Sequence, residues 1–321
     1  MMAPFYSVII PTYNRWPVLH EAMTSVFQQT CQDLELLIVD DGSTDATRTQ
    51  VLQLAQQAPH PVRLLFCPRG GPAKARNVGL REAQGTFVAF LDSDDLWFAD
   101  HLEAARQLVL RQPQALDFLF ADTQLTRAAG LRASYLQGKS IETVPHDRDG
   151  TWRVFRRTIY PELIPASTVI TSSAIIRRDL LHHLGGFDER LTPFGEDTDL
   201  WLRASAMARA AAGNWSVTVH RRKLADGLMN SGQAWLWRSK HIELMTYHLH
   251  GPGRMYKRLI GQRLADLYRE RAVINLRQST YGLAIRDLMG LIYYDPMALP
   301  KHLHLLVQRA RRWLARRVQS A

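Results

Sequence analysis

A chain of 321 residues, 46% hydrophobic and with a net charge of +10, can build one sizeable core domain and a smaller appendage. Its two cysteines, Cys31 and Cys67, have neither metal-ligand spacing nor suitable histidine neighbours, which argues for free core thiols in a reducing compartment. The apolar stretches are broken by charge or proline before they reach membrane-spanning length, and residues 1–6 lack a basic leader, so the expectation is a cytoplasmic, non-spanning protein.

Residues 7–11 form a short apolar run ended by proline and read as a buried strand. Residues 16–29 carry helical spacing through Leu19, Met23, Val26 and Phe27. A second strand is expected over 34–39, then a helix over 44–57 capped by Ser43 or Thr44. Strand 62–66, helix 73–82, strand 87–91 and helix 98–112 continue the alternation. Beyond these, 118–120 and 169–176 read as strands and 197–212 as a helix. Regular alternation, with polar residues at the strand C-terminal ends, predicts an open and mostly parallel α/β sheet whose ligand crevice lies outside those ends.

Two acidic runs carry the chemistry. Leu91-Asp92-Ser93-Asp94-Asp95 ends an apolar strand, and Gly195-Glu196-Asp197-Thr198-Asp199 opens a helix. Carboxylates packed this closely repel one another, and a divalent cation is a natural partner. The first run therefore reads as a metal-diphosphate seat and the second as the source of a general base. The glycines match neither a dinucleotide fingerprint nor a Walker-type loop, which removes oxidoreductase and P-loop readings.

Six ordered blocks extend the pattern: Ser7-Val8-Ile9-Ile10-Pro11-Thr12-Tyr13-Asn14, Val39-Asp40-Asp41-Gly42-Ser43-Thr44-Asp45, Ala75-Arg76-Asn77-Val78-Gly79, Phe90-Leu91-Asp92-Ser93-Asp94-Asp95, Gly185-Gly186-Phe187-Asp188-Glu189 and Glu196-Asp197-Thr198-Asp199-Leu200-Trp201. Together they resemble the family 2 glycosyltransferases of the GT-A fold, over roughly the first two-thirds of the chain. The resemblance implies an open mixed sheet flanked by helices, and transfer of a single sugar from a nucleotide-sugar, with inversion and with Mn²⁺ or Mg²⁺. It assigns Pro11, Thr12, Tyr13 and Asn14 to the nucleotide, and Asp40, paired with Asp41, to a uracil-type imide. Arg76 is implied to meet phosphate or base. Asp92 and Ser93 belong beside the ribose or metal, Asp94 is a direct metal ligand, and Asp95 is an additional acid. Asp197 is the implied base with Glu196 beside it, while Asp199 and Asp45 read as structural. Many relatives place a histidine downstream as a further metal or phosphate contact; here His220 or Lys223 could serve.

The charge is unevenly spread. Residues 1–215 hold 21 Lys and Arg against 24 Asp and Glu, a net of −3, whereas residues 216–321 hold 19 against 6, a net of +13. The shift suggests a catalytic domain over 1–215 and a basic, mainly helical extension over 216–321. Within it, Leu303, Leu306, Val307, Ala310, Trp313, Leu314 and Val318 recur at helical spacing among arginines. Residues 301–318 thus read as an amphipathic helix that meets either an anionic membrane or the catalytic domain. The aromatics are not interleaved as a stacking platform, so no nucleic-acid partner is expected. The expected partners are a nucleotide-sugar and a glycan or lipid-linked acceptor in cell-surface polysaccharide assembly. The competing readings are a sugar-phosphate nucleotidyltransferase, which would need a Gly-rich loop after the first strand, and a non-catalytic glycan- or membrane-binding module.

Overall fold

The computed structural model describes residues 3–112, 116–126, 132–166, 168–221 and 233–297. They fall into two compact units, divided between Ser231 and Gly232. In chain order the first unit contains β1 (Tyr6–Thr12), α1 (Trp16–Phe27), β2 (Leu34–Asp40), α2 (Thr47–Ala55), β3 (Val62–Phe66), α3 (Pro72–Glu82), β4 (Phe87–Phe90), β5 (Asp95–Trp97) and α4 (His101–Arg111). It continues with β6 (Phe118–Thr126), β7 (Arg132–Ser134), β8 (His146–Asp149), β9 (Trp152–Phe155), α5 (Tyr160–Leu163), β10 (Ile175–Arg177), α6 (Arg178–Leu184), α7 (Glu196–Met207) and β11 (Ala211–Arg221).

These strands make one mixed sheet in the order β3-β2-β1-β4-β10-β6-β11-β9-β8, with β5 added to β11 and β7 to β6. β3, β2, β1 and β4 are parallel, and every residue of β1, β2 and β4 is buried, as near-continuous apolar strands covered on both faces must be. The parallel register sets Thr12 beside Asp40 at the ends of β1 and β2. β10 enters antiparallel between β4 and β6, and makes the sheet mixed where the sequence suggested mostly parallel pairing. Cys31 and Cys67 are buried free thiols.

Three expectations need correcting. The helix expected over 197–212 ends at Met207, and Ala211 begins β11, which pairs β6 over its whole length. Alanine-rich sequence favours a helix in isolation, but pairing in the middle of a sheet overrides that preference. The strand expected over 169–176 is mostly a 3-10 turn, Thr171–Ser173, before the short β10. Helix α2 starts at Thr47, and neither Ser43 nor Thr44 caps it; the Thr47 amide donates to Asp45 Oδ1 at 3.0 Å. The composition shift at 215 falls inside β11, while the compact units divide further on.

The second unit consists of α8 (Ala234–His250), α9 (Lys257–Arg277) and α10 (Tyr281–Tyr294). α9 and α10 close on each other at Gly290, where a Cβ would stand 2.7 Å from Tyr268 Cδ1. Buried Asp287 of α10 takes a paired contact from Arg271 (2.6 Å) and a hydrogen bond from Asn275 Nδ2 (2.8 Å), and Arg271 also reaches Ser239 Oγ on α8. No helix among the described residues is long and apolar enough to cross a membrane. Residues 301–318 and Lys223 lie outside the described residues.

Candidate active site

The crevice at the strand ends is lined first by the β1 and β2 termini. Thr12 is buried, and its Oγ1 has no hydrogen-bond partner among the described residues, an unusual state for a buried hydroxyl. Asp40 is fully buried; its carboxylate accepts from the Ser43 amide (2.9 Å) and from Arg48 Nε (2.6 Å), whose guanidinium lies over Phe66. Asp41 accepts from the amides of Gly70 and Gly71 at 2.7 and 2.9 Å, fixing the turn that opens α3. Pro11 is buried within β1. Tyr13 carries the Arg69 guanidinium 3.3 Å from its ring centroid. Asn14, at a positive φ, takes the amides of Thr44 and Asp45 on its Oδ1 and so ties the first two loops together.

Beyond β4, the Asp92, Asp94 and Asp95 carboxylates place ligand atoms within 4.8 Å of one another. Burial and mutual repulsion both favour the protonated forms of these acids. Burial, and then the Asp92 charge, raise Asp94 above the usual carboxylate range. Burial, and then Asp92 and Asp94, push Asp95 up to about 7. Two arginines offset part of that repulsion. Arg15 Nη1 lies 3.2 Å from Asp94 Oδ2, and buried Arg76 donates from Nη2 to Asp92 Oδ1 at 2.6 Å. Ser172, in the 3-10 turn, donates to Asp95 Oδ2 (2.6 Å) and accepts from the Asp92 amide (3.1 Å). Ser93 is buried between the acids. This all-oxygen, anionic donor set suits a hard divalent cation such as Mg²⁺ or Mn²⁺.

Arg76 joins this run to the second. Its Nη1 lies 3.7 Å from Glu196 Oε1, and its Nε and Nη1 have no hydrogen-bond partner among the described residues. Glu196 is the first residue of α7, entered through Gly195 at φ 108°, a conformation that needs glycine. Burial, and then the Asp197 charge, push Glu196 up to about 7. Asp197 is half-buried; its Oδ1 accepts from the Thr198 amide at 2.6 Å, and its Oδ2 is 3.5 Å from Thr171 Oγ1. Asp199 turns inward to Arg203 at 2.5 Å and holds structure, as the sequence suggested. Trp201 is core, stacked on Phe118. Asn77 also serves the frame, because its amide group bonds both the N–H and the C=O of Phe187.

His220 is not a member of the acidic group. Strand pairing sets His220 opposite Leu96 and Arg221 opposite Asp95, so residue alternation points Arg221 to the acidic side of the β5–β11 ladder. The Arg221 charge lowers both Asp94 and Asp95 against the effects that raise them. Sequence reasoning missed Arg15, Ser172 and Arg221. Arg15 and Ser172 stand 79 and 77 positions from the acids they touch, and nothing local marks them.

Comparison with known proteins places the chain in a family and a fold. The description "Glycosyl transferase family 2" matches residues 7–185. An uncharacterized glycosyltransferase of Rickettsia felis is 34% identical over 221 residues, covering 69% of this chain and 33% of that protein. The UDP-Glc:alpha-D-GlcNAc-diphosphoundecaprenol beta-1,3-glucosyltransferase WfgD of Escherichia coli is 37% identical over 136 residues, 42% of this chain and 52% of that one. The chain therefore spans about a third to a half of the length of these relatives. Among solved structures, S. aureus TarS 1-349 in complex with UDP-GlcNAc superposes with a TM-score of 0.61 at 19% identity, over 92% of each chain. Mannosyltransferase PcManGT from Pyrobaculum calidifontis, in complex with GDP-Man and Mn²⁺, gives 0.56 at 20% identity over 98% of this chain and 84% of that one. Both likenesses speak to the fold, a GT-A mixed sheet flanked by helices with a helical C-terminal part. With more than half of its length matched, and two acidic runs joined through one buried arginine, the chain belongs to glycosyl transferase family 2.

Proposed function

We propose that this chain transfers one sugar from a nucleotide-sugar to a hydroxyl of a glycan or lipid-linked acceptor, inverting the anomeric carbon. The observation that carries the reading is Arg76, a buried cation touching Asp92 on one side and lying near Glu196 on the other. Read as a diphosphate seat and the source of a base, the two acidic runs would lie within reach of one substrate. A UDP-linked donor is the reading for the nucleotide, supported by the UDP-sugars in the names of the E. coli relative and the S. aureus neighbour. The diphosphoundecaprenol in the E. coli name supports a lipid-linked acceptor, and a succinoglycan biosynthesis protein of Rhizobium meliloti, 43% identical over 108 residues, supports a place in polysaccharide assembly.

The nucleobase would lie against Tyr13 at the β1 and β2 ends, near Thr12, whose hydroxyl has no hydrogen-bond partner among the described residues, and near Asp40. A divalent ion held by Asp92 and Asp94, with Asp95 beside them, would neutralise charge on the departing diphosphate. Arg76 would add a fixed positive charge at the same place. The acceptor oxygen forms a bond to the anomeric carbon as the bond from that carbon to the diphosphate oxygen breaks. The acceptor's proton passes to Asp197. Asp197 is the better base of the pair, because Glu196 holds a proton up to about 7 and faces Arg76, while Asp197 is half open and oriented by Thr198.

The reading is tested by thermal melting of the purified protein with UDP-, GDP- and dTDP-sugars, with and without Mn²⁺. Stabilisation by one nucleotide, dependent on the ion, is expected. Folded protein that responds to none of them overturns the transferase reading and favours the binding-module alternative.

A further inference from the structure

We infer that the α9–α10 face of the helical unit docks on an anionic phospholipid bilayer, with α10 lying along the interface. Ten of the fifteen large apolar side chains exposed among the described residues belong to residues 233–297, which make up only about a fifth of the chain. The main group has a pattern. Tyr281, Ile285, Met289 and Ile292 succeed one another at spacings of four, four and three along α10, and Tyr293 and Met297 extend the stripe. Ile285 is 59% exposed and Met289 66%. The opposite face of the same helix, with Ala284, Asp287 and Leu291, is buried. α10 therefore carries a second, apolar face that is exposed, beside the face the unit buries.

The cations beside the stripe differ from those inside the unit. Arg238, Lys240, Arg269 and Arg271 each pair with an acid of the same unit. Lys257, Arg258 and Arg286 are exposed and have no ion-pair partner among the described residues. Lys257 and Arg258 line a surface cavity of about 350 Å³ together with Tyr293 and Tyr294. Asp295, the acid in that lining, already accepts from the Met297 amide at 3.1 Å.

Solvent-exposed apolar side chains flanked by cations without ion-pair partners among the described residues match the two components of an anionic bilayer surface, an acyl boundary below and phosphates above. Tyrosine at both ends of the stripe suits the headgroup level, where an amphipathic ring is favoured. From Tyr281 to Ile292 the stripe runs about 17 Å at the helical rise, too short to span a bilayer and suited to lying in its plane. A second copy of the chain would instead bring the same unpaired cations towards each other.

The test is co-sedimentation of the full chain with vesicles of phosphatidylglycerol and phosphatidylcholine in equal parts, and with phosphatidylcholine alone. The wild type is expected to sediment with the first and weakly with the second. Ile285→Ser/Met289→Ser should weaken binding at least tenfold, on the order of two lost apolar anchors. Lys257→Gln/Arg258→Gln should cost about fivefold for each charge removed and narrow the difference between the two vesicles. Both pairs are exposed, and an unchanged melting midpoint checks that they fold. Three results overturn the inference. The wild type ignores both vesicles; or the stripe variant sediments like wild type, which places any anchor elsewhere, such as residues 301–318; or light scattering shows a dimer that the stripe variant dissolves, with no vesicle binding. No donor or acceptor enters the measurement, so its failure is distinct from failure of the transferase reading.

Discussion

The two units leave opposite kinds of surface unfinished. In the sheet unit the exposed large apolar side chains, Leu52, Phe66, Phe98, Leu110 and Met207, are scattered, and the incomplete groups at the crevice are polar: Thr12 Oγ1, Arg76 Nε and Glu196 Oε2 are buried without hydrogen-bond partners among the described residues. In the helical unit the central polar contact, Arg271 with Asp287 and Asn275, is complete, and although Trp235 Nε1 is buried without a hydrogen-bond partner among the described residues, the larger deficit is a continuous stripe of exposed apolar side chains. A buried unpaired polar atom costs roughly 1–3 kcal/mol and stands ready for a polar ligand, whereas an open apolar stripe stands ready for a partner that removes it from water. Both units use arginine heavily, but the burial around it decides whether it organises a site or edges a surface. Changes in the first unit should therefore alter chemistry and leave vesicle binding alone, and changes on α10 should do the reverse.

The sharpest separation comes from Asp197→Asn. Without a base at the α7 start, turnover should fall on the order of a thousandfold, while donor binding and vesicle co-sedimentation stay at wild-type levels. Normal turnover in that variant would remove Asp197 from the chemistry. Arg76→Met comes next. It strips the counter-ion from Glu196, which is 5% exposed, and from Asp92, and should cost about 3 kcal/mol of stability. Thermal unfolding measures this, and an unchanged midpoint would mean that the two acidic runs do not depend on Arg76.

Protonation sharpens the same contrast. Glu196 is raised from 4.5 to about 7 by burial and by Asp197, so between those values the folded state holds a proton that the unfolded chain has released. Stability contributed by that proton is complete below about 4.5 and is lost as pH rises through 7, up to about 3 kcal/mol in all. Glu196→Gln removes the titration, so its melting point should gain on wild type between pH 5 and 8. Parallel curves would show that Glu196 ionises freely. Vesicle binding by the same variant should follow wild type across that range.

How much of this was legible depended on whether the signal was local. The strands β1, β2 and β4 announced themselves as apolar runs ending near Pro11, Asp40-Asp41-Gly42 and Asp92, because parallel strands buried on both faces carry few polar residues. The acidic runs could be placed for the same reason. β11 was illegible, since Ala210, Ala211 and Ala212 favour a helix until β6 and β9 are there to pair with them. The metal-seat carboxylates were visible as a cluster, but not the arginines that hold them in the folded protein. Arg15 comes from the start of α1, and Arg221 from the far end of the longest strand.

Arg15 gives the smallest expected effect and the most direct question about that seat. Its ion pair with Asp94 is partly open to solvent, with side-chain exposures of 25% and 21%, so its net contribution to stability should be no more than about 1 kcal/mol. Removing it nevertheless has a definite sign for the ion. If Arg15 serves as a counter-ion that a divalent cation must displace from Asp94, Arg15→Gln should bind Mn²⁺ more tightly in the absence of donor, by about fivefold. Calorimetric titration of Mn²⁺ into the nucleotide-free protein reads this directly. If Arg15 is merely a solvated surface charge like those beside α10, its loss should leave Mn²⁺ affinity nearly unchanged. A tighter site that turns over more slowly would mean that Arg15, once displaced, has a second task at the diphosphate. Unchanged affinity with unchanged turnover would place it among the cations that only border a surface.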